Sequence, residues 1–183
     1  MPKNKPEMPA EDVINIVRLL NQHGIEVIID GGWGVDACLG EQTRLHEDLD
    51  VAVEHKDVGE IRALLKARGY KDVPRGDTWE CNFVLGDDEG RLVDIHSCTF
   101  DEKGNNIFGV KYPFDSLQGK GIINGHPVRC VPANWLVDFH TGYELDENDY
   151  HDVRLLCDKF GIEIPAEYDR FRSAGQRGET QNL

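Results

Sequence analysis

Two aspartates, Asp48 and Asp50, are separated by a single residue at the start of a short apolar segment. Side chains in a strand alternate between its two faces, so both carboxylates are expected on one face while Leu49 and Val51 enter a core. Magnesium is typically held by one or two carboxylates together with substrate phosphates. The spacing therefore predicts a metal site for phosphoryl or nucleotidyl chemistry, with solvated carboxylates at a strand edge as the alternative.

A third acid, Asp94, lies in a second apolar segment, where it should share a face with His96 and lie opposite Val93. If the two strands are neighbours, Asp94 converges with Asp48 and Asp50. Like charges at short range raise each other's pKa, and a bound metal removes that cost. Asp94 could then accept the proton of an attacking hydroxyl as well as, or instead of, binding metal.

A glycine pair, Gly31 and Gly32, lies upstream of the aspartates, after a predicted strand and next to a short predicted helix that includes Trp33. Small residues let backbone N–H groups approach a phosphate, and a helix N-terminus favours negative charge. Arg44 and His46 could add positive charge over a polyphosphate, or could pair with surface carboxylates. These five residues are the candidate nucleotide contacts.

Charge and composition narrow the classes of partner. The 183 residues include 20 Lys and Arg against 34 Asp and Glu, a formal net charge of -14, which argues against a nucleic acid and suits a cationic small substrate. The acid excess could also serve solubility alone. Five scattered cysteines indicate reduced thiols. With no signal-type or membrane-spanning segment in view, a soluble, cytoplasmic protein is expected.

The pattern of apolar residues and helix breakers predicts a mixed α/β region followed by helices. Helices are predicted at 11–23, 33–39, 58–67, 132–139 and 146–160, and strands at 25–29, 48–53, 80–85, 91–95, 121–123 and 126–129. The stretch from Phe100 to Gly119 predicts a long ordered loop of functional interest. We expect a catalytic core over 1–131, a helical part of the same domain over 132–173 and a disordered tail over 174–183.

Three segments together resemble a known family. Residues 31–36 are Gly-Gly-Trp-Gly-Val-Asp, residues 43–50 are Thr-Arg-Leu-His-Glu-Asp-Leu-Asp, and residues 93–96 are Val-Asp-Ile-His. This set resembles the small antibiotic nucleotidyltransferases of the DNA polymerase beta-like superfamily, which include lincosamide nucleotidyltransferases and aminoglycoside 2''-adenylyltransferases. The resemblance implies an α+β nucleotidyltransferase fold, with a mixed sheet flanked by helices and further helices at the C-terminus.

The resemblance also implies a chemistry. ATP or another nucleoside triphosphate would be the donor with Mg²⁺, a drug hydroxyl would receive the nucleoside monophosphate, and pyrophosphate would leave. By this resemblance Asp48 and Asp50 hold the metals and Asp94 is a ligand or general base. Gly31 and Gly32 would seat the triphosphate.

The late helical segment resembles the lincosamide enzymes more than the aminoglycoside enzymes, so His140 and Tyr143 are weak candidates for substrate contact. The primary expectation is adenylylation of a lincosamide whose apolar parts pack on Trp79, Phe108 or Tyr112. The alternatives are an aminoglycoside acceptor, a protein acceptor as in toxin–antitoxin modules, and a non-catalytic interaction domain. Neither a nucleic acid nor a membrane is an expected partner, and a homodimer is compatible with the family.

Overall fold

The structure, a computed structural model, describes residues 5–172. The chain divides into two compact units, the first ending at Pro132 and the second beginning at Ala133. The tail predicted to be disordered, 174–183, lies outside the described residues. Among the helices of residues 5–172, none is both long and apolar enough to cross a bilayer.

The first unit contains three α-helices and an eight-stranded sheet. The helices are α1 (Ala10–Gln22), α2 (Gly31–Leu39) and α3 (Val58–Lys66). The strands are β1 (Ile28–Ile29), β2 (Asp48–Glu54), β3 (Lys71–Val73), β4 (Asn82–Gly86), β5 (Leu92–Phe100), β6 (Asn106–Gly109), β7 (Gly119–Ile123) and β8 (His126–Cys130). Short 3-10 turns cover His55–Asp57 and Phe114–Leu117.

The sheet has the order β3-β4-β5-β2-β1-β8-β7, with β6 added beside β5. Parallel pairing joins β2 to β5 and β1 to β8, and the other pairs are antiparallel. This mixed sheet with flanking helices confirms the predicted α+β class. The parallel pair β2 and β5 matters most for function, because it carries the predicted acids.

Alternation along β2 separates a core face from a polar face. Leu49 and Val51 are fully buried and join the hydrophobic core, where Val93 and Ile95 of β5 also lie. The acids between these apolar residues consequently point to the opposite face. Burial of four β-branched or leucine side chains fixes this orientation, since a one-residue slip would expose all of them.

Several element predictions need correction. The stretch Phe100–Gly119 is not a loop throughout, because it contains β6 and a 3-10 turn. Strand β6 exposes Ile107 and Phe108, so it lacks the alternation that would have revealed it and forms only because the end of β5 offers an edge. Strand β3 was missed, and β1 is shorter than expected. Helix α2 begins at Gly31, so the glycine pair lies in its first turn.

The second unit is helical over its described part. It contains α4 (Ala133–Phe139) and α5 (Glu147–Phe160). Asp146 caps α5 through a capping box with Asp149, in which each side chain accepts a backbone N–H of the other residue. The predicted C-terminal helices are therefore present, and a strong local signal sets where α5 begins.

Candidate active site

The structure brings the three predicted acids to one face of the sheet. The parallel register pairs Asp50 directly with Asp94, and Asp48 lies two positions earlier on β2. Because the period of a strand is two residues, all three side chains project away from the core. Two distant segments thus supply one acidic cluster.

A compact group of possible metal ligands lies within this cluster. One ligand atom from each of Asp50, Asp94 and His96 lies within 4.8 Å of the others. Asp48 lies outside that compact group. His96 was not among the predicted site residues, although its position two residues after Asp94 puts both side chains on the same face.

The donor set fits a divalent cation. Asp94 Oδ1 and His96 Nδ1 are buried without a hydrogen-bond partner, and His96 Nε2 lies 3.4 Å from Asp94 Oδ1. Buried polar atoms without a partner are costly and are rare in native proteins. A cation between the carboxylates would satisfy Asp94 Oδ1. Oxygen ligands suit Mg²⁺, and an added imidazole also suits Mn²⁺.

The carboxylates of this cluster resist ionisation. Burial, reinforced by the charges of Asp48 and Asp30, holds the pKa of Asp50 well above its ordinary value. Burial and the charge of Asp94 raise the pKa of Asp48. Burial also raises the pKa of Asp94, although His96 opposes the shift. Like charges and desolvation both disfavour the anions. A cation bound here would offset this electrostatic cost of ionising the carboxylates.

The glycine pair lies against this cluster. Gly31 has a positive φ of 58°, and a Cβ at this position would lie 2.2 Å from Asp50 Oδ2. A Cβ at Gly32 would lie 2.5 Å from His46 Nδ1 and 2.6 Å from Arg44 Nη2. Only glycine fits at either position without displacing a neighbour. The first turn of α2 is therefore bordered by an acid on one side and two cationic residue types on the other.

His46 is held in place from the interior. Its ring is 3% exposed, and Nε2 donates to Oδ2 of the buried Asp36 at 2.5 Å. The other oxygen of Asp36 accepts the Thr43 hydroxyl at 2.7 Å. Trp33, 1% exposed, lies with its ring 4.6 Å from His46 and donates its indole N–H to Met8 O at 3.0 Å. Trp33 therefore supports His46 from the core, and its direct contact with a nucleotide stays a prediction.

Asp30 is a site residue that the sequence analysis missed. Its Oδ1 accepts the Gly31 N–H at 2.8 Å, and its backbone N–H donates to Asp50 O at 2.9 Å. Its Oδ2 accepts the hydroxyl of Tyr112 at 2.7 Å. The signal was an aspartate directly before the first helical residue, the position of an N-cap. Tyr112, one of the aromatic residues on which a drug could pack, is buried beside the cluster, and its contact with a drug stays a prediction.

The weak candidates His140 and Tyr143 lie in the second unit. His140 Nδ1 donates to Leu136 O at 2.7 Å, and the Tyr143 hydroxyl donates to Asp149 Oδ1 at 2.7 Å. Both side chains thus have partners within their own unit. Their contact with substrate stays a prediction.

Sequence comparison places most of the chain in one family. A family model described as aminoglycoside-2''-adenylyltransferase matches residues 12–156. A lincosamide resistance protein from Staphylococcus haemolyticus is 26% identical over 152 residues, covering 80% of this chain and 92% of the relative. A 2''-aminoglycoside nucleotidyltransferase from Escherichia coli is 27% identical over 155 residues, covering 81% and 85%.

Solved structures agree on the fold. A lincosamide antibiotic adenylyltransferase solved with lincomycin bound matches with a TM-score of 0.73 at 23% identity, covering 86% of this chain and 99% of that one. The solution structure of a 2''-type antibiotic-resistance factor matches with a TM-score of 0.70 at 22% identity, covering 95% and 97%. These matches and the family model confirm the predicted fold and enzyme class: the chain belongs to the aminoglycoside-2''-adenylyltransferase family of nucleotidyltransferases.

Proposed function

We propose that this protein transfers an adenylyl group from ATP to a hydroxyl of an antibiotic, with a lincosamide such as lincomycin or clindamycin as the preferred acceptor and Mg²⁺ as the metal. The observation that carries the proposal is the direct pairing of Asp50 with Asp94 on parallel strands, beside the first turn of α2, where Gly31 has a positive φ and an added Cβ would meet Asp50. Metal ligands and a site for phosphates are then adjacent.

The ligands and nucleotide contacts follow from the geometry. Bound Mg²⁺ would neutralise charge on the triphosphate and on the pyrophosphate that leaves. The residues proposed to hold it are Asp48, Asp50, Asp94 and His96. The Gly32 backbone N–H would receive the triphosphate, and Gly31, whose own N–H donates to Asp30, would leave room for the phosphates to approach. Arg44 and His46 border the same turn and would contact its phosphates.

In the proposed reaction an acceptor oxygen attacks the α-phosphorus of ATP. A new oxygen–phosphorus bond forms while the bond between the α-phosphorus and the bridging oxygen breaks, and pyrophosphate leaves. The acceptor's hydroxyl proton passes to the Asp94 carboxylate. Asp94 pairs with Asp50 on the neighbouring strand, so its carboxylate would lie beside the bound metal and within reach of an acceptor hydroxyl held there.

The charge and the exposed aromatics support a cationic amphiphilic acceptor. The chain has a formal net charge of -14, and Trp79 and Phe108 expose large ring surfaces in the same unit as the cluster. A lincosamide combines an amine with apolar groups, which suits both features. An aminoglycoside remains the second candidate acceptor, because the matching family model and a relative of similar identity carry that name.

The test is an acceptor panel. The protein is incubated with Mg²⁺, ATP and, separately, lincomycin, clindamycin, tobramycin and a protein mixture, and products are analysed by mass spectrometry for an added adenylyl group. Competing GTP, CTP and UTP test the preference for ATP. Asp94→Asn should remove the product, whereas Asp88→Asn on the exposed surface should not.

Each other outcome has a defined meaning. Modification of tobramycin alone would overturn the lincosamide preference and leave the reaction class intact. Modification of protein rather than drug would favour the toxin–antitoxin alternative. Neither product nor nucleotide binding would overturn the enzyme proposal.

A further inference from the structure

We infer that Asp30 and Tyr112 act as a positioning pair, in which the segment between β6 and β7 holds the first turn of α2 in the form that receives the nucleotide. This inference rests on the proposed function for the identity of the nucleotide. It gives a role to the Phe100–Gly119 stretch that goes beyond acceptor contact.

Every polar atom of Asp30 that could move toward the site is already engaged. One carboxylate oxygen accepts the Gly31 N–H and the other accepts the Tyr112 hydroxyl, while the backbone N–H donates to Asp50 O. Asp30 thus connects the strained glycine, the principal acid and the β6–β7 segment. Both oxygens of Asp30 already accept hydrogen bonds, so we do not assign it as a metal ligand. Its negative charge nevertheless raises the pKa of Asp50.

Tyr112 is suited to a fixed donor role. It is 6% exposed, and its ring centroid lies 6.5 Å from that of His96. Burial, followed by the charge of Asp30, raises the pKa of Tyr112 well above its ordinary value. The hydroxyl donates to Asp30 Oδ2 at 2.7 Å and is the donor of the pair.

Several contacts hold the segment around Tyr112: Asn106 Nδ2 donates to Val110 O and Tyr112 O, and Arg129 Nη2 donates to Leu117 O. Strand β6 pairs with β5, whereas β7 pairs with β8, so the chain between them crosses from one side of the sheet to the other. A cavity of about 260 Å³ is lined by Phe114 and Leu117 of this segment and by Ile28, Ala52 and Cys98 of the sheet. The hydrogen bond from Tyr112 joins this segment to Asp30 and, through the other oxygen of Asp30, to the Gly31 N–H at the start of α2.

Loss of the hydroxyl should therefore weaken nucleotide binding. In Tyr112→Phe, Oδ2 of Asp30 loses its donor and is free to turn toward the triphosphate, where its charge repels. A hydrogen bond to a charged group is strong enough that we expect the dissociation constant for Mg²⁺ and nucleotide to rise about tenfold. The KM for the acceptor should change less than threefold.

The experiment compares binding and exchange. Calorimetry measures binding of Mg²⁺ with a non-hydrolysable ATP analogue to the full chain, and hydrogen exchange without ligand follows the peptide that contains Gly31. Tyr70→Phe is the matched control, because Tyr70 is also 6% exposed and lies outside the site.

The outcomes separate this inference from the proposed function. Faster exchange at Gly31 and weaker nucleotide binding in Tyr112→Phe, with Tyr70→Phe unchanged, would support the pair. Unchanged exchange and affinity in Tyr112→Phe would overturn it. If the unmodified protein binds nucleotide but modifies no drug, the acceptor proposal fails and the positioning pair stands.

Discussion

Two carboxylates of the first unit, Asp36 and Asp94, differ in whether their oxygens have hydrogen-bond partners. Asp36 on α2 is 1% exposed, and both of its oxygens have hydrogen-bond partners, the Thr43 hydroxyl and the His46 ring. Asp94 on β5 is more exposed, yet its Oδ1 has no hydrogen-bond partner. The more deeply buried carboxylate is the one with partners, so burial alone does not explain the unpaired oxygen of Asp94. What distinguishes them is whether the protein itself satisfies the carboxylate.

The difference has an energetic meaning. A buried carboxylate such as that of Asp36 has its hydrogen-bond partners in the folded protein without any ligand. Removing it would leave those partners buried without a hydrogen bond, which lowers stability. A cluster of desolvated acids with raised pKa values costs stability until a cation binds. Asp36 therefore contributes to the stability of the fold, while Asp50 and Asp94 are suited to binding a cation.

The largest expected effect is on activity at the paired acids. Asp50→Asn and Asp94→Asn should each reduce kcat/KM for adenylyl transfer by about 10³-fold, since each removes a ligand or the proton acceptor. The same variants should be unchanged or about 1 kcal/mol more stable without metal, because a like charge is gone. Steady-state kinetics and urea unfolding in EDTA measure the two effects. A large loss of stability in either variant would contradict the distinction.

The reverse result is expected at Asp36. Asp36→Ala should lower the free energy of unfolding by about 3 kcal/mol, because it strands the buried His46 ring and the Thr43 hydroxyl. Urea unfolding monitored by circular dichroism measures this change. Asp88→Ala, at an exposed position, is the matched control and should change stability by less than about 0.5 kcal/mol. Equal stability of the two variants would remove the structural role given to Asp36.

Substitution of two glycines at the ends of α2 tests which end of the helix matters for activity. Gly31 and Gly40 flank α2, and both have positive φ, but only Gly31 has a neighbour, Asp50, in the space of a Cβ. Both Gly31→Ala and Gly40→Ala should lose about 1 kcal/mol of stability through backbone strain. Only Gly31→Ala should reduce kcat/KM, by about 10²-fold, because it displaces Asp50. Similar kinetics in the two variants would argue against a close approach at Gly31.

The smallest expected effect is a dependence of stability on pH and metal. The pKa of Asp50 is raised in the folded state above its ordinary 3.8, so the folded protein binds more protons than the unfolded chain. Its contribution to stability is therefore present below pH 3.8 and is lost as pH rises through the folded pKa. Mg²⁺ should raise Tm by a few degrees at pH 7 and by less at pH 5. Thermal scans of the unmodified protein and of Asp50→Asn test this, and an equal metal response in both would contradict it.

Some of the site could be predicted because its cause is local. Alternation along a strand is enough to put Asp48 and Asp50 opposite Leu49 and Val51, and the breaker at Gly40 ends α2 where expected. The short segments that carry these signals also carried the family resemblance. The β7–β8 hairpin followed equally from Asn124 and Gly125, both of which adopt positive φ.

Other parts could not be predicted, because they depend on contacts between distant segments. Trp33 and His46 have residue types suited to a binding site, and only their surroundings show that the first is a core residue. The partner of Asp30 is 82 residues away, in a segment without regular alternation. Nothing in the local pattern of either segment indicates that contact.

The sequence by itself determined which faces the acids of β2 occupy and that glycines stand beside them, since strand periodicity and backbone sterics act over a few residues. The tertiary structure alone decided that Asp94 and His96 meet Asp50, that Asp36 is satisfied, and that Tyr112 reaches Asp30. Strand register and side-chain partners across the sheet are set by packing of the whole core, and no short segment contains that information.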